Sequence, residues 1–385
     1  MGAKITAVNG QVLEWARKRS NLSLDQVAEK LSKDSQVILS WEEERDHPTY
    51  AQLEKIAYSI YKVPLAVFFF PDPPKDKDPK VDFRLIPESE VESFEPDTLF
   101  SIRAMQARQE SLRELTEGKN PSENLLSRKV KLSKNSNIIK VCKMVRQHLG
   151  ITLETQSSWP NVTTALKNWR LAIESSGIFV FKRSLKQKSI NGFCLTDHNF
   201  PIICINNSTS KSRQIFTLFH ELGHILSSFN GYTKDDLKYM DHLQQDDYDT
   251  ELVCNRFAAE FLVPSHEFKF CMKVYDGSEE SVKSIANTFN VSREVIFRKL
   301  LDHNQIDKNQ YQEKREKWNS EWHNRTKGKG GGDYYRTQAT YLGDAFLSLC
   351  FKKYYSGQIN KSTLADHFGI KARNLSKLEN IFLGV

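Results

Sequence analysis

Long apolar runs are missing from this sequence. No stretch of its 385 residues approaches the ~20 apolar residues that a membrane-spanning helix needs, and the longest candidates are interrupted by His, Glu or Lys. Met1 to Asn9 carries no apolar core of the kind that opens a secretory signal. Paired cysteines are missing too. Cys142, Cys194, Cys204, Cys254, Cys271 and Cys350 are scattered without a CxxC pair, which points to free, packed thiols in a reducing compartment. No long internal repeat is present, which sets aside a solenoid. What remains is 39% hydrophobic and 27% charged, a balance that suits packed domains, and the length allows two or three of them. The expectation is a cytoplasmic protein with no membrane partner.

A basic N-terminal segment is also lacking. The net charge of +7 invites a nucleic-acid reading, but Met1 to Val63 holds nine basic and nine acidic residues. Lys308 to Val385 holds fourteen basic and seven acidic, so the whole excess lies in the C-terminal part. If DNA is bound for its phosphates, Lys352, Lys353, Lys371, Arg373 and Lys377 are the expected contacts.

What the sequence does have is Phe219-His220-Glu221-Leu222-Gly223-His224-Ile225-Leu226, inside an apolar run from Ile215 to Phe229. On a helix His220 and His224 project from one face, one turn apart, which is the spacing two imidazoles need to share a tetrahedral Zn²⁺. Glu221 is rotated off that face. It can work on a water as general base without occupying a coordination position. The bland reading is a buried amphipathic helix with two core histidines. It suffers from the cost of burying unpaired polar groups among Leu218, Phe219, Leu222, Ile225 and Leu226.

A catalytic zinc takes three protein ligands. Asp249 to Pro264 reads as a second buried helix, with Leu252, Phe257, Ala258, Ala259, Phe261 and Leu262 apolar and Pro264 as its stop. Glu251, with Asn255 and Ala258 on the same side, suits a third ligand. Glu260 competes but falls among large hydrophobes, and His242, Asp247 and Asp249 stay open as substitutes. Cys254 also lies close, and a core thiol is the simpler reading for it. Tyr232, Tyr239, Tyr248 and His242 are the local candidates for stabilising a tetrahedral oxyanion.

FTLFHELGHIL followed by ELVCNRFAAEFLVP resembles the ImmA/IrrE family of zinc metallopeptidases. The likeness extends upstream through Gly192-Phe193-Cys194 and Pro201 to Asn206, and to an N-terminal segment that resembles a Cro/C1-type helix-turn-helix. The resemblance implies Zn²⁺ held by His220, His224 and Glu251, with Glu221 as catalytic base. It implies a protein substrate, a DNA-binding repressor or antitoxin, whose cleavage turns on the genes it silenced. Within the Cro/C1-like module, Gln36, Leu39 and Ser40 would face the major groove. Two rivals stand beside this: a DNA-binding regulator that uses the zinc fold as sensor or scaffold, and a toxin or defence protein held inactive by a partner.

The expected fold is α+β and mostly helical. Residues 1–71 form a helix-turn-helix bundle and 72–95 a linker. Residues 96–307 form a zincin-like metallopeptidase domain with a small sheet of Ile178 to Phe181, Gly192 to Leu195 and Ile202 to Ile205. Residues 308–332 give a charged helix and a Gly-rich linker, and 333–385 a small helical domain. Val282 to Leu301 reads as another helix-turn-helix pair, and Leu364 to Ile370 suggests one more.

Overall fold

The computed structural model describes residues 3–75, 94–187, 189–228, 232–234, 245–323 and 333–384. Two compact units emerge: Met1–Gln106 with Leu185–Lys188, and Ala107–Ser184 with Ser189–Val385.

The first unit opens with α1 (Gly10–Arg19), α2 (Leu24–Leu31), α3 (Ser35–Glu42) and α4 (Tyr50–Glu54). Asn9, Ser23, Asp34 and Thr49 cap them, each accepting from backbone N–H groups of the first turn. The apolar periodicity suggests one helix from Thr49 to Tyr61. The chain instead widens after Glu54 into a π-helix, Lys55–Tyr61, which ends at left-handed Lys62 before Val63-Pro64. Val12, Leu13, Ala16, Val27, Ile38, Trp41, Leu53 and Phe68 form the core. The acidic run Glu42–Glu44 is used internally. Glu42 takes both arms of Arg17 at 2.7 and 2.9 Å, and Glu44 accepts from Gly10 N at 2.8 Å. The long helix α5 (Pro96–Leu115) runs from this unit into the second.

The second unit continues with α6 (Leu126–Lys129), α7 (Ile138–Leu149), α8 (Leu153–Ser158) and α9 (Val162–Ser175). Strands β1 (Phe179–Arg183), β2 (Ile190–Leu195) and β3 (Ile202–Asn206) follow, then α10 (Lys211–Ser227), β4 (Tyr232–Lys234) and α11 (Gln245–Leu262). The mixed sheet has the order β1-β3-β2-β4, parallel between β1 and β3 and antiparallel elsewhere. Its fourth strand, three residues long, is too short for a period-two pattern to announce it. Helix α11 begins four residues before the expected Asp249, because Gln245 to Tyr248 is polar and adds nothing to an apolar stripe. Val81 to Glu90 and most of the polar stretch from Phe229 to Asp249 lie outside the described residues.

An aromatic cluster ties the helices together. Trp169 of α9 meets Phe219 of α10 edge-on at 4.9 Å and Phe261 of α11 at 5.4 Å, while Phe219 stacks on Phe261 at 4.3 Å. Buried Gln156 donates to Leu262 O and Phe289 O, closing two helix ends.

The remaining helices are α12 (Ser265–Cys271), α13 (Glu279–Phe289), α14 (Arg293–Asp302), α15 (Lys308–His323), α16 (Tyr334–Leu342), α17 (Asp344–Tyr355), α18 (Lys361–Phe368) and α19 (Leu375–Leu383). The pair α13–α14 is covered rather than presented. Arg293 pairs with Glu279 and Glu321, Arg315 of α15 pairs with Glu294, and Trp318 Nε1 donates to Glu279. The last four helices share a core with the sheet: Phe181 of β1 meets Phe346 of α17 at 5.4 Å, with Arg108 over both rings. No helix among the described residues is long and apolar enough to cross a membrane.

Candidate metal centre

Helix α10 starts on a cap from Ser210 and ends at left-handed Ser228. Between Gln214 and Leu226 every residue except Phe216 is buried, so its polar side chains depend on what packs against them. Two glycines bring the partners close. A Cβ on Gly192 of β2 would stand 2.6 Å from Thr217 Cγ2 and 2.9 Å from Cys204 O. A Cβ on Gly223 would stand 3.1–3.2 Å from the Sγ, Cβ and Cα of Cys254. Glycine at these positions lets β2 and α11 lie directly on the helix.

That approach delivers the third donor. His220 Nε2 and His224 Nε2 are 3.0 Å apart, and Glu251 reaches them with Oε2 at 3.3 Å and Oε1 at 3.0 Å. All three residues are buried, and their donor atoms lie within 4.8 Å of one another. His220 Nδ1 is 3.0 Å from Asn255 Oδ1. An amide oxygen only accepts, so Nδ1 carries the proton and Nε2 offers a lone pair. Two imidazole nitrogens and a carboxylate thus converge on one point in a buried setting. This buried N,N,O donor set fits zinc.

Protonation follows the same logic. Burial pushes the Glu251 carboxyl up, but His224 and His220 outweigh it and hold the group well below the ordinary carboxylate range. Burial opposes charge on His224, yet Cys254 and Glu251 raise it well above the usual imidazole value. Burial pushes the Cys254 thiol up, with His224 working against it. Glu221 is fully buried and stands outside the donor trio. Burial raises Cys204 of β3 to about 12, and the Glu221 charge adds to that rise.

The competing ligands are elsewhere or undescribed. Glu260 accepts from Lys299 Nζ at 2.8 Å and from Ser265, on the far side of α11. Asp249 lies 4.0 Å from Lys134. Tyr239 and His242, and the side chains of Tyr232 and Asp247, are outside the described residues. Of the oxyanion candidates, Tyr248 is described; it is half-buried one turn before Glu251 on α11. Gln36 is exposed in the first turn of α3, while Leu39 and Ser40 are half-buried, with Ser40 Oγ donating to Val37 O. Sequence reasoning placed Asn255 on the ligand side without a role. The signal was its i, i+4 spacing from Glu251, which sets it over the adjacent histidine.

Buried His220, His224 and Glu251, with Glu221 beside them on the histidine helix, define a site of metallopeptidase type. Residues 173–301, which span the sheet, both site helices and the pair α13–α14, match the family model of the IrrE N-terminal-like domain, a peptidase family. No match to the chain was found among curated proteins.

Proposed function

We propose that this chain is a zinc-dependent endopeptidase that cleaves a regulatory DNA-binding protein, a repressor or antitoxin, and so couples proteolysis to gene induction. The observation that carries the reading is the buried convergence of His220, His224 and Glu251 beside Glu221, within the region matched by the peptidase family model. Zinc, when bound by those three residues, supplies Lewis acidity to the scissile carbonyl and to water. Glu221 takes the proton of the attacking water and hands it to the leaving amine. Asn255 keeps the His220 ring in its ligating tautomer. Strand β4 ends the sheet order next to β2, and an extended substrate could pair with it through backbone bonds that tolerate many sequences. In this reading Gln36, Leu39 and Ser40 of α3 give the first unit its contact with DNA or with the substrate protein.

The decisive variant is Glu221→Gln, which keeps shape and polarity but cannot accept the proton. It should bind about one zinc per chain and fail to cut. The assay is co-expression with any small helix-turn-helix proteins encoded beside the gene, followed by mass spectrometry of fragments. Undiminished cleavage by Glu221→Gln would remove the base role. A wild-type chain that binds zinc and cuts none of these proteins would favour a regulator in which the zinc fold is a scaffold.

A further inference from the structure

Three segments pair two short helices across a tight turn: residues 24–42, 279–302 and 361–383. They differ in the fate of their cations. Around the first, Arg17 is held by Glu42, Arg45 by Glu43 and Lys4 by Asp46, which leaves Lys30 and Lys33 as its two exposed cations without a carboxylate partner among the described residues. Around the second, Arg293, Arg298 and Lys299 pair with Glu279, Asp302 and Glu260, and Lys314, Arg315 and Lys317 of α15 are also paired. The central cations of α15 are therefore matched by carboxylates of α13 and α14.

The third segment keeps its charge. Helix α18 is capped by Asn360 and ends at left-handed Gly369, and a 3₁₀ turn over Ala372–Asn374 leads into α19. Leu364, Ala365, Phe368, Leu375 and Leu378 are buried. The outward positions are Lys361, Lys371, Arg373, Ser376 and Lys377, all exposed. None of these four cations has a carboxylate partner among the described residues; Lys377 lies over the Tyr335 ring. Residues 333–384 carry seven basic and four acidic residues. Of the acids, Asp333 caps α16 and Glu379 accepts from Tyr355. Exposed cations at the turn and start of the second helix, with small polar side chains between them, match the way such pairs lie on a duplex. The phosphates take the charge and the helix start faces the major groove.

We propose that the C-terminal helices, through Lys361, Lys371, Arg373 and Lys377, bind the phosphate backbone of double-stranded DNA. Taken with the proposed substrate, this would hold the peptidase on the same polymer that a repressor occupies. DNA binding itself does not depend on that reading.

The test is fluorescence anisotropy of the full-length protein with a 30-base-pair duplex across a salt series. Lys371→Gln/Arg373→Gln/Lys377→Gln should weaken binding at 0.1 M salt at least ~30-fold. It should flatten the log–log salt slope by about 2.7, since each lost phosphate contact removes ~0.9. Lys317→Gln, at a cation already paired with Glu279, should leave both unchanged. All three positions are exposed, and an unchanged circular-dichroism melt verifies folding. Retained affinity and slope in the triple variant would overturn the proposal, as would no duplex binding by the wild type at 50 mM salt. Tighter binding to single-stranded RNA than to the duplex would also overturn it. The Glu221→Gln protein should bind DNA as the wild type does, so failure here and failure of the peptidase reading are told apart.

Discussion

His220 can offer Nε2 as a ligand only while Nδ1 holds the proton, and the acceptor that keeps it there is Asn255 Oδ1 at 3.0 Å. Asn255→Ala removes that acceptor without touching a ligand. Zinc affinity should fall ~10–100-fold, measured by competition with a chromophoric chelator. Asn255→Asp, which keeps an acceptor, should recover most of it; equal loss in both variants would make Asn255 a packing residue only. A second residue-scale effect needs no metal. Lys182 of β1 is buried and donates to Gln214 Oε1 at 2.9 Å. Burial, then Arg170 and Lys211, bring its pKa down from 10.5 to about 7, with Glu174 opposing. Below pH 7 both states are protonated and the full cost of burying the charge is present. Between 7 and 10.5 the unfolded chain holds the proton and the folded one does not, so stability rises with pH. Relative to Lys182→Met, the wild type should gain about 3 kcal/mol from pH 7 to pH 10 in denaturant unfolding. A pH-independent difference would mean that Lys182 stays charged through hydration. The sequence showed His220, Glu221 and His224 because HExxH fixes their spacing on one helix. It could not show Lys182, since a lysine in a strand gives no sign of which neighbours bury it.

At the scale of elements, the site depends on how closely α11 lies against α10. Gly223 sits between His220 and His224, facing the backbone of Cys254, one turn beyond Glu251. A methyl group there must push α11 outward or crowd the Cys254 side chain. Gly223→Ala should cost about 1–3 kcal/mol and weaken zinc binding by displacing Glu251. Paired with Cys254→Ala it should regain part of both, because Sγ is among the atoms crowded while Cα is not removable. Zinc affinity unchanged in Gly223→Ala would show that Glu251 tolerates the shift. Helices with a clear apolar stripe, such as the Leu252 to Leu262 part of α11, were legible in the sequence. Strand β4 and the polar first turn of α11 were not. Three residues carry no periodicity, and Gln245 to Tyr248 is helical by continuity with the apolar turns from Leu252 to Leu262. Glu251, the third member of the buried cluster, was legible as a carboxylate on the small-residue face of α11, while Glu260 goes to Lys299.

On the scale of the whole molecule, the C-terminal helices look separable in sequence because a Gly-rich stretch, Gly328 to Gly332, precedes them. Composition marks the Gly-rich stretch but not the tertiary contact beyond it. Arg170 of α9 donates to Val180 O of β1 and, at 2.6 Å, to Thr340 O of α16, while Arg108 donates to His367 O. Phe346 is buried between Phe181 and Phe368. The sheet that supports α10 is therefore completed by residues more than a hundred positions downstream of the histidines. If this is one cooperative core, truncating Phe346 should be felt at the metal. Phe346→Ala should cost about 3–5 kcal/mol. Zinc release and the loss of helical circular dichroism should then shift together to lower denaturant concentration, as one transition. Were the C-terminal helices an independent domain on a tether, the variant would melt them first and leave zinc release at the wild-type midpoint. Two transitions, with only the earlier one moved by Phe346→Ala, would dissolve the shared core. Coincident shifts would mean that the surface proposed to hold DNA and the sheet beneath the metal centre fold as one body, so that neither can be removed without loss of the other.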